Sequence, residues 1–138
     1  INGTNVRDST GTILGATYKM GSFTLKGITA SQNTNTYTSA LTTNGIGGAY
    51  SLSEKLSMDV GYYNATSSIG NFKVDTTAFG AYYSLGKDLK VYGQYALVDN
   101  KGSSTSAWNF AGPSIITGNL TAGQKAETLN VGLMFTYF

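Results

Sequence analysis

Residues that could do covalent or metal chemistry are scarce in this sequence. Its 138 residues include no histidine and no cysteine, which excludes imidazole-based nucleophilic catalysis, histidine and thiolate metal sites, and disulfides. The seven acidic residues are dispersed and form no close pair of the kind that glycoside hydrolysis requires. We therefore expect no enzyme activity, no metal site and no cofactor.

Two glycine-containing stretches could be interpreted as phosphate-binding loops. Residues 44–48 read NGIGG, and Gly86 precedes Lys87, but neither has the strand and helix that flank a phosphate loop. Glycine within a strand lets a barrel wall curve, and a Gly-Lys pair suits a turn. We therefore assign residues 44–48 to a strand and residues 86–88 to a turn.

The charge content excludes one class of partner and favours another. Nine basic and seven acidic residues leave a net charge of +2, which is too small and too dispersed to indicate nucleic-acid binding. Charged residues make up 12% of the chain, about half of the ~25% typical of soluble domains. The mean hydropathy is only −0.10, and no run approaches the ~18 apolar residues of a transmembrane helix. This combination suits strands that contact lipid on one face and water on the other.

Apolar residues recur with a period of two. The alternation is clearest in three segments: Leu56, Met58, Val60 and Tyr62; Leu89, Val91, Tyr95 and Leu97; and Leu129, Val131, Leu133, Phe135 and Tyr137. Because successive side chains of a strand point to opposite faces, each set lies on one face. The pattern predicts an all-β, antiparallel transmembrane β-barrel. It indicates about seven strands, at roughly residues 10–19, 22–33, 41–52, 56–66, 75–85, 89–99 and 126–138.

The predicted links between these strands are of two kinds. Short turns fall at residues 20–21, 53–55 and 86–88, and long polar links fall at 33–40, 67–74 and 100–125. Such alternation is typical of bacterial barrels with tight periplasmic turns and larger extracellular loops, and it places the end of the last strand at the periplasmic face. An odd strand number cannot close such a barrel, and an open edge cannot lie in lipid. We therefore expect residues 1–138 to be one unit, a part of a pore domain that upstream strands or a companion chain complete.

The alternation also divides the side chains between a lipid face and a lumen face. Polar residues opposite the apolar sets are candidate pore-lining residues: Lys19, Lys26, Asp59, Tyr63, Lys90, Gln94, Asn130 and Thr136. Aromatic residues toward the strand ends of the apolar face are candidates for the membrane interface: Tyr50, Tyr62, Phe79, Tyr83, Tyr95, Phe135 and Tyr137. Lysines outnumber acids on the lumen face, which predicts a weak anion preference. The alternative is a solvated strand face with no role in selectivity.

Two stretches resemble a known family. Residues 79–87 (FGAYYSLGK) and 89–100 (LKVYGQYALVDN), with Val131–Gly132–Leu133 and the C-terminal Phe138, resemble the C-terminal half of the trimeric general porins of Gram-negative bacteria, particularly the beta-proteobacterial type. The resemblance implies a sixteen-stranded barrel of which these are the last seven strands, a homotrimer in the outer membrane, and Phe138 as a C-terminal insertion signal. It also implies an inward-folded loop and an arginine cluster that set selectivity, which no residue here matches. Phe138 departs from the family because it is out of phase with the apolar set that ends at Tyr137.

Pattern and resemblance together predict a porin. We expect a water-filled channel for passive diffusion of small hydrophilic solutes and ions, with membrane lipid as its surroundings. One alternative is a small barrel or surface β-protein with a structural or adhesive role and no channel. Another is a soluble β-structure, whose low charge content would be unusual.

Overall fold

The computed structural model describes residues 9–34, 37–67, 71–103, 106–110 and 116–136, and these residues form nine β-strands. The strands are β1 (Ser9–Met20), β2 (Phe23–Thr34), β3 (Tyr37–Ser51), β4 (Leu56–Ser67), β5 (Phe72–Ser84), β6 (Leu89–Asn100), β7 (Ser106–Phe110), β8 (Ile116–Leu120) and β9 (Lys125–Phe135). No helix in these ranges is long and apolar enough to cross a membrane.

Seven of the strands form one antiparallel sheet in the order β1-β2-β3-β4-β5-β6-β9. Each strand pairs with its neighbour along the chain, and β9 returns to β6 after the long link that holds the separate β7-β8 hairpin. Within the described residues, β1 and β9 are the two edges of this sheet. The sheet is therefore a segment of barrel wall rather than a closed barrel, as the odd strand number predicts.

The seven predicted strands are confirmed, but two of the predicted links are not as long as expected. β3 begins at Tyr37 instead of residue 41, so the expected long link at 33–40 is wrong; a register shift at Asn33/Thr34 accompanies the change. β5 begins at Phe72, which shortens the expected link at 67–74. Threonine and tyrosine favour strands, and the two hairpins continue through them. The hairpin β7-β8 was not predicted, since residues 100–125 were assigned to a link.

The short turns follow from local side-chain and backbone chemistry. Gly21 lies between β1 and β2 with a φ of 57°, a left-handed conformation that glycine adopts without steric cost. Between β3 and β4, the backbone N–H groups of Lys55 and Leu56 donate to Ser53 Oγ at 3.2 and 3.0 Å. These turns fix the register of the hairpins, and thereby the face on which each side chain lies.

The register sorts the side chains of the sheet into two faces, because cross-strand partners share a face. One continuous row on the first face contains Lys19, Thr24, Ala49, Asp59, Gly80, Gln94 and Asn130. The adjacent row, on the second face, contains Tyr18, Leu25, Gly48, Val60, Phe79, Tyr95 and Leu129. The first face encloses a hollow of ≈ 620 Å³ lined from Gly15 in β1 to Asn130 in β9. We call it the concave face and the other the convex face.

Candidate pore wall

All eight candidate pore-lining residues lie on the concave face. Lys19, Asp59, Gln94 and Asn130 share the row described above. Lys26 lies opposite Gly47, Tyr63 opposite Gly45, and Lys90 opposite Met134, all in the same alternation. Thr136 follows β9, and its N–H donates to Asp88 O at 3.0 Å, which continues that alternation. The structure thus brings these residues onto one wall, and their role in permeation remains a prediction.

The three lysines of the concave face are exposed and lie toward its short-turn end. Lys19 is next to the end of β1, and Lys90 is the second residue of β6. Lys26 lies beside Gly47 and Gly61, whose lack of side chains leaves its flank open. The two salt bridges found in the described parts of the chain involve other lysines. Asp59 is the acidic candidate on this face, so the lysines exceed the carboxylates there.

Tyrosine rings on the concave face lie flat over glycines. A Cβ placed on Gly45 would be 2.5 Å from Cδ1 of Tyr63, and one placed on Gly61 would be 3.0 Å from Cε2 of the same ring. A Cβ on Gly132 would lie 2.6 Å from the hydroxyl oxygen of Tyr92. The glycines therefore act as seats that keep these rings against the wall and out of the hollow. Tyr92 is not among the candidate pore-lining residues, although it lies on the same face of β6 as Lys90 and Gln94.

A fourth glycine of this kind, Gly80, lies under a carboxylate as well as a ring. Gly80 is buried under Asp59 Oδ1 and the ring of Tyr82, and a Cβ at this position would collide with the Asp59 oxygen. Gln94 Nε2 donates to the Tyr82 hydroxyl oxygen at 2.9 Å. A Cβ at Gly80 would also be 2.9 Å from the Tyr82 hydroxyl oxygen, so the hydroxyl and the Asp59 carboxylate are neighbours over this glycine. These three polar side chains from β4, β5 and β6 therefore form one connected cluster on the wall.

The long-loop half of the concave face contains apolar side chains among polar ones such as Gln32, Thr43 and Thr128. Ile13 and Ile28 share this face with Lys19 and Lys26, and Ile13 is 74% exposed. Val74 and Val98 continue the apolar area on β5 and β6, where Val98 is buried. The charged candidates lie in the short-turn half of the wall, whereas Tyr63 lies in the long-loop half of β4.

The convex face carries the apolar band and the candidate interface aromatics. Tyr50, Tyr83 and Phe135 lie near the short-turn ends of β3, β5 and β9. Tyr62 lies farther up β4, and Phe79 and Tyr95 are cross-strand partners near the middle of β5 and β6. Between them are exposed aliphatic side chains: Leu14, Ile46, Met58, Val60, Leu129, Val131 and Leu133. Tyr137 and Phe138 lie outside the described residues.

A row of polar side chains crosses the convex face toward its long-loop end. In register across six strands, it contains Thr29, Asn44, Asn64, Asp75, Asp99 and Lys125. Thr29 Oγ1 donates to Asn44 Oδ1 at 2.8 Å, and Asn64 Nδ2 donates to Asp75 Oδ1 at 2.5 Å. This row is not visible in the sequence, because its members align only when the register of every strand pair is known. It marks the upper limit of the apolar band, where a bilayer gives way to polar surroundings.

Asp75 is the most deeply buried member of this row and is fully paired. Its side chain accepts from Asn64 and forms a salt bridge with Lys101 Nζ at 2.5 Å. Lys101 follows β6, and the hydrogen bond to Asp75 raises its pKa above the ordinary 10.5. Lys125 Nζ lies 3.5 Å from Asp99 Oδ2 in a second, more exposed pair. A buried carboxylate needs such partners to remain ionised.

The base of the long link is closed by Asn100, which is fully buried. Its side-chain amide donates to Leu120 O at 2.9 Å and Thr121 O at 3.1 Å, and its Oδ1 accepts from the N–H of Gly102 at 3.2 Å. Gly123 N–H donates to Asn100 O at 2.8 Å. Both ends of the link are therefore tied to the top of β6. No cluster of acidic side chains in the described ranges has the arrangement of a metal site.

Comparison with known proteins agrees with this wall geometry. A family model described as Gram-negative porin matches residues 1–103. Among solved structures, the anion-selective porin from Comamonas acidovorans matches with a TM-score of 0.77 at 21% identity, over 95% of this chain and 39% of that chain. At that identity the match shows a shared fold, and the chain spans well under half of the Comamonas porin. No curated protein matches the sequence significantly.

Proposed function

Because the chain belongs to the Gram-negative porin family, a family of the bacterial outer membrane, we propose that it forms part of a water-filled channel. Small hydrophilic solutes and ions diffuse through this channel passively. The observation that carries the proposal is the polar row on the concave face, Lys19 to Asn130, backed by an apolar row on the convex face. Such a wall contacts water on one side and lipid on the other.

The channel prefers anions. On the concave face Lys19, Lys26 and Lys90 are exposed, and Asp59 is the one exposed carboxylate that opposes them in the described residues. A unit charge about 5 Å from an ion path contributes about 0.8 kcal/mol in water before screening by salt, or about a twofold change in local ion concentration at 0.1 M salt. The Comamonas porin with the same fold is anion-selective, which supports the assignment.

The assembly is larger than this chain. Further strands, from upstream in the same polypeptide or from a companion chain, close a barrel of about sixteen strands, and three copies associate as a homotrimer. The fact that the chain covers 39% of the Comamonas porin supports the need for further strands. Native mass spectrometry of the protein extracted from outer membranes tests both statements.

Reversal potentials in planar bilayers test the function. The full-length protein should conduct, and in a KCl gradient its reversal potential should indicate chloride preference. Replacing Lys19, Lys26 and Lys90 with glutamine should lower the chloride-to-potassium permeability ratio several-fold. Lys73→Gln is the matched control, because Lys73 lies on the convex side of β5 and is exposed there. Absence of conductance contradicts the channel, and an unchanged ratio in the triple variant contradicts the role of the lysines.

A further inference from the structure

The acidic side chain of the polar row does not simply extend into the hollow. Asp59 Oδ1 lies directly over Gly80, at the place that a Cβ of residue 80 would occupy. The same Cβ would be 2.9 Å from both Cε2 and the hydroxyl oxygen of Tyr82. Carboxylate and ring therefore share one glycine seat on β5, the strand next to the one that carries Asp59.

The hydrogen bonds around this seat have a defined direction. Gln94 Nε2 donates to the Tyr82 hydroxyl oxygen at 2.9 Å, and an amide nitrogen can only donate. The hydroxyl proton of Tyr82 is then free to point toward the carboxylate of Asp59, its neighbour over Gly80. The order is Gln94 to Tyr82 to Asp59, across β6, β5 and β4.

From this geometry we propose that Tyr82 and Gly80 are positioning residues for ion selectivity: they hold the carboxylate of Asp59 flat against the inner wall, away from permeating anions. The proposal rests on the anion-preferring channel proposed above. A carboxylate released from this seat moves toward the ion path, where it repels anions and attracts cations. Asp59 therefore reduces the anion preference that the lysines create by less than an aspartate free to move would reduce it.

Two substitutions release the carboxylate by different means. Tyr82→Phe removes the donor and leaves the ring over Gly80. Gly80→Ala places a Cβ where Asp59 Oδ1 lies, and the side chain must move. Each should lower the chloride-to-potassium permeability ratio of the full-length channel by up to about fourfold, because a unit charge brought to about 5 Å from the ion path roughly halves the local anion concentration and doubles the local cation concentration in 0.1 M salt. In an Asp59→Asn background, both substitutions should leave the ratio unchanged.

Matched controls separate positioning from a general disturbance of the wall. Tyr92→Phe removes another hydroxyl of the concave face, one that lies over Gly132 rather than Gly80, and Gly93→Ala adds a methyl group with nothing within 4 Å. Neither should change the ratio. The proposal is overturned if Tyr82→Phe has the same chloride-to-potassium permeability ratio as the unmodified channel. It is also overturned if Tyr82→Phe still changes this ratio in the Asp59→Asn background.

Failure of the positioning role can be told apart from failure of the proposed channel function. A channel that prefers cations contradicts the anion preference, yet the shift between Tyr82→Phe and the unmodified protein still tests the seat. If the protein does not conduct, a crystal structure of the Tyr82→Phe variant decides the matter. A carboxylate that leaves Gly80 in that structure supports the positioning role, and one that remains there refutes it.

Discussion

Replacing Asn100 with alanine should loosen the base of the long link between β6 and β9. Asn100 is fully buried, and its side chain forms hydrogen bonds with Leu120 O, Thr121 O and the N–H of Gly102. Alanine can replace none of them, and the two carbonyl oxygens lose their side-chain donor. The barrel wall below should be unaffected, because β6 and β9 remain paired from Asp99 and Lys125 downward.

The size of the effect follows from the number of bonds. Each intramolecular hydrogen bond contributes about 1 kcal/mol to stability, so the loss is about 3 kcal/mol. Since 1.4 kcal/mol is a factor of ten in an equilibrium constant, local opening should increase roughly a hundredfold. Gln124→Ala removes one exposed bond, from the N–H of Thr121 to Gln124 Oε1, and should increase opening only several-fold.

Hydrogen exchange of the reconstituted protein measures this opening. The informative amides are those of Asn100 and Gly123, which donate to Gln124 O and Asn100 O at the base of the link. In Asn100→Asp the acceptor for Gly102 remains but both side-chain donors are lost, so exchange should still increase at Gly123. Unchanged exchange of Gly123 in Asn100→Ala would refute the inference that this side chain closes the link.

Two further predictions concern the wall and its polar border. Gly45→Ala should lower single-channel conductance, because the new Cβ lies 2.5 Å from Cδ1 of Tyr63 and forces that ring into the hollow; the same conductance as in the unmodified protein would contradict the seat. The pKa of Lys101 is raised above the ordinary 10.5 by its hydrogen bond to Asp75, so the stabilisation from this pair is complete below 10.5 and is lost as pH rises through the higher value of the folded protein. Urea unfolding on both sides of that pH should show this loss in the unmodified protein and not in Asp75→Asn.

The sequence predicts the sheet and the assignment of residues to its two faces because both follow from local pattern. Alternation in β4, β6 and β9 placed Asp59, Lys90 and Asn130 on one face, and the register confirms that they share it. Lys19 had an unclear phase in the sequence, and the pairing of Lys19 with Thr24 fixes its face. The tight turns set the register of β1-β2, β3-β4 and β5-β6, and the alternation within each strand needs no long-range information.

What the sequence could not predict depends on contacts between strands or on long links. The seat of Asp59 on Gly80 requires the register of β4 against β5 and the direction of the Tyr82 ring. The buried pairing of Asp75 with Lys101 joins residues 26 positions apart. The β7-β8 hairpin lies within a polar stretch without clear alternation, and β3 extended into threonine-rich sequence that turn composition had assigned to a link. Each of these features depends on contacts between strands rather than on the two-residue alternation within a strand.

Thiol labelling on opposite faces of one strand tests the central claim most directly. The sequence contains no cysteine, so single cysteines at Asn130 and Val131 report on adjacent residues of β9 that face opposite sides of the sheet. In the full-length protein reconstituted in lipid, a charged, membrane-impermeant thiol reagent should modify Asn130→Cys and spare Val131→Cys. Val131 is 74% exposed on the sheet without lipid. If both faces were in water, the reagent would therefore modify Val131→Cys faster than Asn130→Cys. That result would contradict a water-filled channel lined by the concave face.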